Sequence, residues 1–100
     1  MKLSPLTIKK NGKIIDIRGK VKRFTVVDYV TLRQSTYPKK IFVLQNLLFK
    51  NGKNELRIGY YIIGKKPRMR GKWVWGQFAP FFPKSDLKKL LAKARRKGII

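Results

Sequence analysis

The sequence predicts an α+β fold, with an antiparallel sheet or small barrel of about five strands and one C-terminal amphipathic helix. Two patterns indicate it. Short runs with a period of two, separated by Gly, Pro and Asn, fill most of the chain, and from Ser85 onward the apolar residues recur every three or four positions. With 100 residues, 43% of them hydrophobic, we expect a single domain spanning residues 1–100.

The clearest strand is Arg23–Arg33, in which apolar and polar residues alternate. Its predicted apolar face carries Phe24, Val26, Val30 and Leu32. Its predicted polar face carries Arg23, Thr25, Tyr29, Thr31 and Arg33, with the apolar Val27 among them. Asp28 falls on the apolar face, where a salt bridge or hydrogen bond at the rim of the sheet would satisfy its carboxylate.

Two Asn-Gly pairs, at positions 11–12 and 51–52, predict tight hairpin turns, because both residue types tolerate positive φ. The first turn would join Leu6–Lys9 to Lys13–Arg18. The run Ile41–Phe49 is apolar on both sides, which is typical of a central strand. A short helix between Pro38 and Gly52 remains an alternative, and we favour the strand because another strand follows at once.

Later strands are predicted at residues 55–63 and 72–78, and the last element is a helix. Ser85 is its expected N-cap, Asp86 lies in its first turn and Gly98 follows its last residue. Leu87, Leu90, Leu91 and Ala94 form one apolar stripe, which is sized to pack on a sheet.

Charge is the strongest functional signal, because 26 Lys and Arg oppose 4 Asp and Glu, for a net charge of +22. The chain has neither His nor Cys, so zinc fingers, thiol chemistry and His-based triads are excluded. We expect no enzyme, no cofactor and no metal site. Asp28 with Glu55 and Arg57 has a spacing similar to metal-dependent nucleases, but Arg replaces the expected Lys and two carboxylates hold Mg²⁺ poorly.

A folded domain with this much like charge is expected to bind a polyanion. We expect mainly non-specific binding to the phosphate backbone of duplex DNA, in an architectural or accessory role, because the charge is spread along the whole chain. The alternative is an RNA-binding component of a ribonucleoprotein complex. A nuclease subunit or a membrane-surface protein is a more distant possibility, and no small-molecule substrate or membrane is expected as a partner. Without a signal-peptide pattern or a membrane-spanning run, the expected location is cytoplasmic.

The candidate contact residues fall into three groups: a basic loop, the polar faces of two strands, and the charged faces of the helix. They are Lys65, Lys66, Arg68, Arg70 and Lys72 in the loop, Arg23, Tyr29, Arg33, Arg57 and Tyr61 on the strands, and Lys88, Lys89, Lys93, Arg95, Arg96 and Lys97 on the helix. If the two strands are neighbours, their rows merge into one basic, aromatic surface.

Trp73 and Trp75 are two residues apart, so on a strand their side chains point to the same side. Exposed beside Arg68 and Arg70, they would form a platform for base stacking. The competing interpretation places both indoles in the core, where Trp is usually found. We favour the core, because solvent-facing Arg70 and Lys72 would turn the indoles inward. Sequence alone leaves DNA versus RNA, and the oligomeric state, open.

Overall fold

The computed structural model describes residues 6–64, 68, 70–76 and 79–100. Five strands and one helix follow in chain order: β1 (Asn11–Ile15), β2 (Val21–Arg33), β3 (Lys40–Phe49), β4 (Asn54–Ile63), β5 (Trp73–Trp75) and α1 (Lys84–Arg96). Each strand pairs antiparallel with the next, in the order β1-β2-β3-β4-β5, and the sheet curls into a half-barrel. The predicted α+β class is confirmed.

β3 is the central strand of the sheet, and both of its faces are covered. Phe42 and Leu44 on one face and Val43 and Gln45 on the other are almost completely buried. The strand interpretation of Ile41–Phe49 is therefore confirmed. Burial on both faces explains why its sequence is a continuous apolar run rather than an alternation.

A β-bulge at Val27 divides β2 into two segments. Even-numbered side chains point to one face of the sheet before the bulge and to the other face after it. Val26 pairs with Leu47, whereas Asp28 pairs with Asn46, so two steps along β2 match one step along β3. The extra residue reverses the alternation. The predicted single apolar face of Arg23–Arg33 is therefore wrong.

Two hydrophobic cores result, one on each side of the sheet. The larger lies under α1 and contains Val30, Phe42, Leu44, Tyr60, Leu90 and Ala94. The smaller lies on the opposite side and contains Phe24, Val26, Leu47 and Phe49. Because of the bulge, Arg23 lies on the opposite face of β2 from Tyr29 and Arg33. The predicted polar face that contains all three residues is therefore wrong.

The two Asn-Gly pairs have different outcomes. Gly52 has a φ of +84° and turns β3 into β4, as predicted. Asn11-Gly12, in contrast, lies inside β1, and Gly12 is needed there because a Cβ atom would come within 2.6 Å of the Phe24 ring. The first hairpin instead turns at residues 16–20, where Asp16 Oδ1 accepts the N–H groups of Arg18 and Lys20 and Gly19 has a φ of +81°.

The helix α1 begins at Lys84 after Pro83 and has no side-chain cap, so Ser85 is not the N-cap. Asp86 lies in the first turn as predicted, but it is buried and its Oδ2 accepts the N–H of Ser35 at 2.9 Å. Because Asp86 faces the sheet, the buried row continues through Leu90 and Ala94, while Leu91 of the predicted stripe is exposed. Among the described residues no helix is long and apolar enough to cross a membrane.

The C-terminal end of α1 lies along an edge of β2. Gly98 N–H bonds to the Arg95 carbonyl and Ile99 N–H to the Ala94 carbonyl, which is a Schellman ending. Lys93 Nζ donates to the Thr31 carbonyl, and Lys97 Nζ donates to the Tyr29 carbonyl at 2.7 Å. These two lysines therefore occupy hydrogen-bonding groups that an edge strand would otherwise offer to another chain.

Asp28 lies at the same edge, where its Oδ1 is 2.8 Å from Lys97 Nζ and accepts the Tyr29 N–H. The hydrogen bond from Lys97 holds the pKa of Asp28 below its ordinary value. The predicted salt bridge at the rim of the sheet is confirmed. Asp28 is thereby explained as a structural carboxylate.

Candidate functional site

The face of the sheet turned away from α1, here named the open face, collects Arg and aromatic side chains from four strands, β2 to β5. Register places Arg33, Ile41, Tyr61 and Trp75 in one row across β2 to β5. Two rows further along the same face, Tyr29, Gln45 and Arg57 lie side by side on β2, β3 and β4. β2 and β4 are not neighbours, because β3 lies between them, so their polar residues do not merge directly as the sequence predicts.

Arg57 is the centre of the open face. Its Cζ lies 4.8 Å from the centroid of the Phe24 ring and 4.5 Å from that of Trp75. Its Nε and Nη2 both donate to Gln45 Oε1, at 3.0 and 2.7 Å. A guanidinium held by two rings and a buried amide has a fixed position and orientation.

Partial burial affects Arg57 and its neighbour Tyr61 in opposite directions. Desolvation lowers the pKa of Arg57 and raises the pKa of Tyr61. At neutral pH Arg57 stays charged, because a guanidinium starts from a very high pKa. Among the described residues the one ion pair is Lys97 with Asp28, so no described carboxylate neutralises Arg57. The open face therefore presents a half-buried positive charge that favours an anion.

Trp75 lies flat against the strand beside it. A Cβ atom on Gly59 would come within 2.3 Å of the indole Cη2, so the glycine provides the space in which this ring sits. The Tyr61 ring packs edge-on against Trp75, with 5.1 Å between centroids and 78° between planes. The indole nevertheless remains 37% exposed.

Trp73 is half-buried on the same side, with Arg33 Cζ 5.5 Å from its ring centroid. The expectation that both indoles lie in the core is therefore wrong, since neither belongs to the core under α1 or to the smaller one. Because this sheet has a hydrophobic cluster on each face, side chains that point away from Lys72 need not enter the core under α1. The Trp73 and Trp75 side chains point to the open face, where Arg33 and Arg57 stack on the indoles.

A groove of about 1170 Å³ runs from β1 to Trp75 across the open face. Pockets for small molecules usually have volumes of about 300–1000 Å³, so this groove is slightly larger than a typical one. Its aromatic and amide surface comes from Phe24, Gln45, Phe49, Tyr61 and Trp75. Its lining includes five cations and no carboxylate among the described residues: Lys9, Lys13, Arg23, Lys50 and Arg57.

The predicted contact residues are only partly brought together. Arg33, Arg57, Tyr61, Trp73 and Trp75 lie on the open face, and Arg23 reaches the rim of the groove. Tyr29 lies opposite Gln45 on the same face, and Lys97 Nζ is 5.1 Å from its ring centroid. Seven further candidates are exposed and do not line the groove: Arg68, Arg70, Lys72, Lys88, Lys89, Arg95 and Arg96. Lys65 and Lys66 lie outside the described residues.

Sequence reasoning missed two residues that position Arg57, namely Phe24 and Gln45. Phe24 was assigned to the wrong face because of the bulge. Gln45, however, is a polar residue in the middle of an apolar run, and that signal was visible in the sequence. A buried amide in a central strand needs a hydrogen-bonding partner, and here the partner is Arg57.

Comparisons of this chain with protein-family models, curated proteins and solved structures found no match.

Replacing Gly59 by alanine is expected to displace the Trp75 indole, because the new methyl group would occupy the position of the ring. In a Trp73→Phe background, Trp75 is the sole indole of the chain. We expect its fluorescence emission to shift to longer wavelength and the free energy of unfolding to fall by about 1–3 kcal/mol. An unchanged emission wavelength would contradict the position of the Trp75 ring against Gly59.

Proposed function

We propose that this protein binds nucleic acid non-catalytically, mainly through backbone phosphates. The observation that carries the proposal is Arg57, a fixed and half-buried guanidinium in a cation-lined groove, with no described carboxylate as its partner. Arginine with two donors on one side is well suited to phosphate oxygens. A net charge of +22 adds long-range attraction to any polyanion.

Duplex DNA is the first choice among polyanions. Exposed cations occur on several sides of the described structure, on α1 as well as in the groove, and a long polymer can contact them together. Such contacts depend on phosphate positions rather than base sequence. This supports an accessory or architectural role with little sequence preference.

RNA within a ribonucleoprotein complex is the second candidate, and the exposure of Trp75 favours it. Single-stranded segments present bases that can stack on aromatic rings, and Trp75 and Tyr61 offer such rings next to Arg57. Both candidates share the phosphate contacts and differ in whether bases reach the open face.

The proposed function predicts a steep salt dependence. If about six phosphates are engaged, log Kd plotted against log salt concentration should have a slope of roughly 5 or more, so that a tenfold rise in salt weakens duplex binding about 10⁵-fold. Fluorescence anisotropy with a labelled duplex at several salt concentrations measures it. As a control, Arg57→Ala should flatten the slope by about one unit if Arg57 neutralises one phosphate.

A flat salt response would contradict electrostatic binding to nucleic acid. Binding to anionic vesicles with no binding to DNA or RNA would instead support a membrane-surface protein.

A further inference from the structure

The β1–β2 hairpin extends beyond the rest of the sheet. The pairing of β2 with β3 starts at Phe24, whereas residues 21–23 pair only with residues 13–15 of β1. Residues 13–23 therefore form a two-stranded arm. The Asp16 carboxylate orders its tip by accepting the N–H groups of Arg18 and Lys20.

One face of the arm combines two arrangements that are unfavourable in water. Ile15 lies directly opposite Val21, and these side chains are 67% and 51% exposed. In the next pair toward the sheet on that face, Lys13 lies opposite Arg23, and both are exposed. Like charges that face each other across strands destabilise a sheet, and an exposed aliphatic pair gains nothing from burial. A partner that is anionic at its edges and apolar between them would relieve both.

The charge of the arm points to the chemistry of that partner. Asp16 is its one carboxylate, and that carboxylate is already used by the backbone. The arm carries five exposed cations: Lys13, Arg18, Lys20, Lys22 and Arg23. Lys13 and Arg23 share the face of the apolar pair, Lys22 lies on the other face, and Arg18 and Lys20 lie at the tip. A second copy of the arm would bring five more cations against these five, so self-association through this surface is electrostatically opposed.

We infer that the arm enters the major groove of B-form DNA, with Ile15 and Val21 against thymine methyl groups and the flanking cations on phosphates. This inference rests on the proposed function and specifies the nucleic acid. The major groove of B-DNA is about 12 Å wide and admits a two-stranded ribbon. The major groove of A-form RNA is deep and narrow, and side chains cannot read it. Among the base edges in the major groove, only thymine carries a methyl group. That methyl group can pack against the aliphatic side chains of Ile15 and Val21.

The test compares two AT-rich DNA duplexes of identical sequence, one with thymine and one with deoxyuridine, which lacks the methyl group. We expect the unmodified protein to bind the deoxyuridine duplex about fourfold more weakly for each methyl group contacted, as expected from the burial of one methylene-sized group. The double variant Ile15→Ser, Val21→Ser should bind both duplexes equally. Its affinity for duplex RNA should equal that of the unmodified protein.

Leu56→Ser is the matched control, because Leu56 is a strand residue that is 50% exposed and lies outside the arm. It should retain the preference for thymine. Thermal unfolding of each variant verifies that it is folded.

The outcomes separate this inference from the proposed function. Equal binding of the thymine and deoxyuridine duplexes by the unmodified protein overturns the inference, while the steep salt dependence of both would still support the proposed function. A preference for thymine that survives in the double variant also overturns it. A change in oligomeric state of the double variant, measured by sedimentation without DNA, would assign the apolar pair to self-association and overturn it as well.

Discussion

Phe42→Ala is expected to lower the free energy of unfolding by about 3–5 kcal/mol, the largest effect on stability that we expect from one substitution. Phe42 is fully buried in the centre of β3 and belongs to the core under α1. Its ring stacks on Phe82, with 3.9 Å between centroids, so truncation opens a cavity where the sheet meets the segment that leads into the helix. Neighbours held by the strand ladder can refill that space only in part.

Chemical denaturation of Phe42→Ala and Phe81→Ala measures this effect with a control for the loss of a phenyl ring. Phe81 precedes Phe82 in the chain but is 84% exposed. Its replacement should change the free energy of unfolding by about 0.5 kcal/mol or less. Similar losses for the two variants would contradict the described core.

Trp75→Ala is expected to weaken binding to single-stranded DNA or RNA by about 1–3 kcal/mol for each base stacked, which corresponds to roughly 5- to 150-fold. The exposed part of the indole is the surface on which a base would stack. The substitution also removes one of the two rings that hold Arg57, so the guanidinium loses part of its fixed orientation. Trp75→Phe, which keeps a smaller ring, should recover part of the affinity.

Tyr37→Ala is the appropriate control for an exposed aromatic ring, because Tyr37 is 39% exposed, lies in the β2–β3 connection and does not line the groove. It should leave single-strand affinity unchanged. If Trp75→Ala left single-strand binding intact but lowered stability by 3–5 kcal/mol, the ring would be a structural element, and the case for RNA would lose its main support.

The elements predicted correctly from the sequence are those whose burial in the structure follows directly from their pattern of apolar residues. β3 was recognisable because burial on both faces requires an apolar run, and α1 because Asp86, Leu90, Ala94 and Gly98 follow helical spacing and termination. The orientation of α1 was not predictable in detail. It depends on the bond from Ser35 to Asp86, which joins residues 51 positions apart.

The two facing directions of β2 could not be predicted, because a bulge inserts one residue without disturbing the apparent alternation. Val27 was the one apolar residue at a polar position, and it is where the register shifts. The consequences for the site were direct. Arg57 and Tyr61 were identified, whereas Phe24 was placed on the opposite side from the guanidinium that it contacts.

The contacts of Lys93 and Lys97 with the edge of β2 bear on how copies of this protein would behave when crowded. A polyanion that attracts many copies raises their local concentration and screens the mutual repulsion that otherwise keeps them apart. Under those conditions an open strand edge would invite sheet-to-sheet polymerisation. Because these two lysines are held by Thr31, Tyr29 and Asp28 within the same chain, the edge stays blocked even when the remaining cations are neutralised. Under the proposed function, a small part of the positive charge would keep neighbouring molecules separate while the rest attracted the polymer.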